Sequence, residues 1–176
     1  MRILILLSLF VTLPTTAFAT DRENAPDAAS PVNQLALRLG VGTPVGLAGL
    51  EYSRRVSSVA SISGGVGMNA KTPQLAVMPR VSHFLGHLEV GVGVGFSVGG
   101  MTSFEEAMSA DPVERGTDLG LFGNGELFLR VRFSRYFVGL FGGYSRLLVE
   151  FLKPDDRTYP AQKDVFFGGL ELGAAF

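Results

Sequence analysis

Cysteine and tryptophan are both missing from the 176 residues, and histidine occurs only twice, as His83 and His87. Without cysteine there is no disulfide scaffold, no CxxC redox site and no thiolate zinc site. Two imidazoles are too few for a rich metal site, so neither a metal nor a cofactor is expected. No charge sign is in excess: 15 Lys and Arg stand against 16 Asp and Glu, net -1. That balance lacks the basic footprint of a nucleic-acid binder. Charge is scarce (18%) beside a hydrophobic content of 47%, which points to a membrane. Yet past the N-terminus no apolar run approaches the ~20 residues a spanning helix needs. The architecture left for a membrane chain is the β-barrel. What is abundant is glycine, 23 residues, well above the usual ~7% share.

The N-terminus reads as an address. Arg2 precedes the apolar run Ile3–Val11, then Pro14 and the small residues ending in Ala17-Phe18-Ala19. This is the charged, apolar, A-x-A layout of a secretory signal peptide. The expected organisation is a signal peptide over 1–19, a loose Pro-containing leader over 20–34 and one domain over 35–176.

From there the chain alternates with period two. In Leu88–Gly100, Leu88, Val90, Val92, Val94, Phe96 and Val98 hold one parity, and Glu89, Gly91, Gly93, Gly95, Ser97 and Gly99 the other. Strict alternation is the signature of a strand. Glycine and serine opposite a wholly apolar face suit the crowded inside of a small closed barrel, with the apolar face toward lipid. Strands are predicted near 35–42, 47–54, 59–68, 75–84, 88–99, 119–133, 136–148 and 165–176. Pro79 would interrupt the fourth, since it cannot donate to a ladder. The connections alternate short and long, as periplasmic turns and external loops do in transmembrane barrels. The fold class is therefore all-β, an eight-stranded antiparallel transmembrane barrel in an up-and-down meander. Tyr52, Phe133, Tyr136 and Phe176 fall at the inner rim, and Phe96, Tyr144 and Phe166 at the outer rim, as aromatic girdles.

Threading puts Arg38, Glu51, Arg80, Glu89, Glu126, Arg130, Arg132 and Glu171 on the inner face, four basic and four acidic. If Gly42 faces Leu47, Arg38 faces Glu51. If the fourth hairpin closes around Phe84-Leu85, Arg80 faces Glu89. Closure of the barrel brings Glu171 beside Arg38. A lone charge in a narrow barrel is costly, so paired charges are expected. They form a structural plug, or alternatively a gate whose inward glycines leave volume for water. Catalysis is the remaining reading of the set.

The chain ends at Phe176, with Leu170, Leu172 and Ala174 on the same parity. This resembles the last strand of bacterial outer-membrane proteins, whose terminal aromatic is read by the barrel-assembly machinery. With eight strands and a signal peptide, the chain resembles small outer-membrane barrels of the OmpA and OmpX type. The resemblance implies residence in the outer membrane of a Gram-negative cell, contact with outer-membrane lipid and a non-enzymatic role. The alternatives are a small gated, porin-like pore and a lipid A-modifying barrel enzyme. For the last, no Ser sits two residues from His83 or His87 in the H-x-S arrangement of barrel deacylases, and adjacent Ser82 would face the opposite side. The long external loops are the expected interaction surface. Ser103-Phe104-Glu105-Glu106 fits a capping box, and the second long loop carries Lys153, Asp155 and Tyr159.

Overall fold

The computed structural model describes residues 33–69, 72–100, 119–152 and 163–176. They form eight strands: β1 (Asn33–Val41), β2 (Ala48–Arg55), β3 (Ala60–Met68), β4 (Pro73–Leu85), β5 (Leu88–Gly99), β6 (Leu119–Phe133), β7 (Tyr136–Leu152) and β8 (Asp164–Ala175). Each pairs antiparallel with the next, and β8 returns to β1, so the sheet is a closed meander barrel. Residues 1–19, read as a signal peptide, and the loop residues Phe104, Glu105, Glu106, Lys153, Asp155 and Tyr159 lie outside the described residues.

Alternation in sequence becomes alternation in burial. Along β4 every second side chain is buried, from Gln74 to Ser82. The barrel is apolar outside and polar inside. Leu37, Leu50, Val66, Val77, Val94, Leu127, Leu140 and Leu170, one from each strand, are exposed, while Arg38, Arg80, Glu126 and Glu171 are buried.

The connections at one end are short. At Gly86-His87 a two-residue turn joins Leu85 to its partner Leu88. Such turns need positive φ at their first position, and Gly86 supplies it at 63°. Ser134 adopts 58° at the matching place in the β6–β7 turn. We call this the turn end and the other the loop end.

Three expectations about register and boundaries are corrected. Arg38 lies opposite Gly49, not Glu51, because the connection is wider than four residues and Leu39 pairs with Ala48. Arg80 lies opposite Gly93, not Glu89, because the hairpin closes at Gly86-His87 and not at Phe84-Leu85. β1 begins at Asn33, so Gln34 belongs to the wall and not to the leader. Both register slips are even-numbered, so no side chain changes face. Pro79 points outward, and the β4–β5 ladder runs from Val77↔Phe96 to Arg80↔Gly93 with no pair between, in unchanged register.

Candidate functional site

All eight charges predicted inside are inside, and they fall into three groups. Arg38, Arg80, Glu51 and Glu126 form a closed square near mid-barrel. Arg38 Nη1 donates to Glu51 at 2.9 Å and Nη2 to Glu126 at 2.6 Å. Arg80 Nη2 donates to Glu51 at 2.8 Å and its Nε to Glu126 at 3.0 Å, with a further short bond from Nη1 to Glu51. Each guanidinium thus bridges both carboxylates; Arg38 and Glu51 stand on adjacent strands, and the other three sides of the square join strands that share no ladder.

The second group is Arg130 with Glu171. Arg130 Nη2 donates at 3.1 Å and Nε makes a short second bond, so the pair is bidentate. Such pairs add geometric specificity to charge. Arg130 also reaches Gln34 at 3.2 Å. Glu171 stands directly opposite Arg38 in the β1–β8 ladder, 3.6 Å from its Nε, as closure requires.

The third group sits at the turn-end mouth. Arg132 Nη2 donates to Glu89 at 2.7 Å and Ser82 Oγ donates to the other Glu89 oxygen at 2.9 Å. Arg55 Nη2 approaches the same carboxylate at 3.6 Å. Arg80 makes no pair with Glu89; Glu51 and Glu126 take it instead. Ser82 is buried and its neighbour His83 exposed, so the two point to opposite sides of the wall.

Inward aromatics interleave with the guanidinium groups. Arg38 lies 3.6 Å from the Phe141 ring centroid, and Arg130 is 4.5 Å from Phe128. Phe84 has Arg55 at 4.5 Å and Arg132 at 5.0 Å. Desolvated cation–π contacts of this kind contribute about 2 kcal/mol or more each.

The inward glycines are covered by neighbouring side chains. A Cβ at Gly93 would lie 3.0 Å from Arg80 Cγ and Met78 Sδ, and one at Gly139 would lie 2.8 Å from Glu171 Oε1. Glycine is where the wall must let long Arg and Glu side chains lie flat. The volume expected to hold water is taken up by protein at these positions.

Toward the loop end a neutral hydrogen-bonded group joins β5, β6 and β7. Asn124 donates to Ser97 at 3.0 Å, and Ser145 donates to Asn124 at 2.6 Å. The β1–β2 connection folds inward, with Thr43 and Val45 fully buried. A Cβ at Gly49 would lie 2.8 Å from Val45 Cβ, and Gly65 and Gly67 complete the hollow. Gly46, at φ 86°, turns the chain back out.

The seven rim aromatics keep outward parity. Tyr52, Phe96, Phe133, Tyr136, Phe166 and Phe176 are exposed, and Tyr144 stacks on Phe166 at 5.3 Å while donating to Asp164. Tyr52 donates to Asn33 at 2.8 Å. Sequence reasoning missed Arg55, assigned to a turn, and the inward rings Phe84, Phe128, Phe137 and Phe141. The available signal was shared parity with Glu51 for Arg55, with Arg80 for Phe84 and with Glu126 for Phe128, and with the inward Gly139 and Gly143 for Phe137 and Phe141.

No protein-family model matches the chain, and no curated protein matches it.

Proposed function

We propose that the protein is a non-enzymatic outer-membrane β-barrel with a plugged lumen, serving the envelope structurally and through surface contacts of its loop end. One observation carries this reading: apolar side chains are exposed on every strand while the charges are buried inside. A wall of that kind suits hydrocarbon, and the closed sheet leaves no unpaired strand edge to it. The aromatic belts would lie at the two interfaces. Residues 1–19 would direct export, the turn end would face the periplasm, and the exposed Phe176 ring would be read by the assembly machinery. The square spanning the lumen favours a plug over a pore.

Cell fractionation with heat-modifiable gel migration tests the reading. An outer-membrane band that shifts on boiling is expected; a soluble protein without that shift overturns it. The variant Val94→Arg sharpens the test. Val94 is 67% exposed, so in water the change is nearly neutral, within about 0.5 kcal/mol. At a bilayer midplane it costs about 2–4 kcal/mol. Urea unfolding from lipid vesicles reads the difference. In planar bilayers the wild type is expected to show no conductance steps.

A further inference from the structure

Among the described residues the ion-pair network inside the barrel is not balanced. Five cations (Arg38, Arg55, Arg80, Arg130 and Arg132) meet four carboxylates (Glu51, Glu89, Glu126 and Glu171). The square balances two against two, and Arg130 matches Glu171. Arg55 and Arg132 are left to share Glu89, so the surplus positive charge sits at the turn-end mouth. These two side chains are also the open ones. Arg55 is 13% and Arg132 16% exposed, against 4% or less for the other seven.

The geometry leaves donors free on Arg55, whereas Arg132 gives Nε and Nη2 to Glu89 at 3.1 and 2.7 Å. Among the described residues Arg55 makes no hydrogen bond, its nearest carboxylate oxygen being Glu89 Oε1 at 3.6 Å. The Phe84 ring is approached by both guanidinium groups, at 4.5 and 5.0 Å. A ring approached by a guanidinium holds it without consuming its in-plane N–H groups. The surroundings add to the field. Arg54 and Arg135 are exposed at the same end, and no Asp or Glu among the described residues is exposed there.

We propose that this mouth binds one monoanionic oxyanion, a carboxylate or a phosphodiester, in the free fork of Arg55, with Arg132 adding positive charge beside it. A planar fork matches either group bidentately. A single surplus charge favours a monoanion, since Glu89 stays in place and repels a second negative charge.

The test uses the full chain folded in a non-ionic maltoside, with the arginine Nε–Hε resonances followed by NMR. Sodium acetate and sodium dimethyl phosphate are titrated separately, at ionic strength fixed with sodium chloride. Arg55 and Arg132 are expected to shift and saturate at millimolar concentration while Arg38 and Arg80 stay put. Saturation by acetate alone identifies a carboxylate ligand, by dimethyl phosphate alone a headgroup-type phosphodiester, and by both the shared chemistry. Arg55→Gln removes the surplus and leaves four charges of each sign, so it should fold and raise the midpoint about tenfold. Glu89→Gln should lower it several-fold. Arg54→Gln, on the outer wall, should leave it unchanged. The proposal fails if neither anion saturates, if Arg54→Gln acts as strongly as Arg55→Gln, or if Glu89→Gln weakens binding.

Discussion

The two halves of the lumen solve one packing problem in opposite ways. The turn-end half is cross-braced by ions: long side chains from facing strands meet in the middle, and glycines in the wall make room for them. The loop-end half is filled by neutral hydrogen bonds and by a piece of backbone, the 43–46 connection, folded into a glycine hollow. The ionic half is directional and coupled, because Arg38 and Arg80 each serve two carboxylates. The neutral half is a sum of small contacts. Inward glycine therefore has two different uses in one barrel. It admits side chains at one end and main chain at the other.

The comparison can be broken first in the ionic half. Glu126→Gln leaves Arg38 and Arg80 each short of a buried counter-charge, and should cost about 3–5 kcal/mol. Urea unfolding of the folded barrel, read by gel mobility, measures it. The double variant Arg38→Met with Glu126→Leu should cost less than the sum of its singles, since coupled sites are not additive. In the neutral half the expected effects are smaller. Asn124→Ala strips Ser97 and Ser145 of their shared partner and should cost about 1–3 kcal/mol by the same assay. Val45→Ala empties part of the glycine hollow, at about 1–2 kcal/mol. If Val45→Ala proves as severe as Glu126→Gln, the two halves do not differ in kind and the distinction falls.

Faces were legible in the sequence and partners only in part: Arg38 does meet Glu51 and Glu171, while Arg80 does not meet Glu89. Period-two alternation assigned Arg38, Glu126 and Glu171 to the inside because burial on one side of a sheet depends only on parity. Register depends on which residues close each hairpin. There the wide turn before Leu47 and the tight one at Gly86 defeated simple counting. The slips were even, so parity survived them. The other three sides of the square were out of reach for another reason. Arg38 on β1 meets Glu126 on β6, and Glu51 on β2 meets Arg80 on β4. Such contacts cross the lumen between strands that share no ladder, and no hairpin register encodes them. Arg55 was hidden because the apolar alternation stops one residue earlier, where Val56-Ser57-Ser58 reads as a turn. Continuing the parity of Glu51 and Ser53 would have found it.

The β1–β8 seam also orders events in time. It joins the strands farthest apart in the chain, and Asn33 and Phe176 exchange two backbone hydrogen bonds across it, at 3.0 and 2.8 Å. Loop-closure entropy grows with the length of chain enclosed, so distant pairings are slow to form. Seven seams can zip locally, hairpin by hairpin, before this one. Until it shuts, the polar face of the sheet is an open trough and its arginines and glutamates keep their water. Dehydration of the whole ionic half is thus deferred to a single late event, in which Arg38 on the first strand docks against Glu171 on the last.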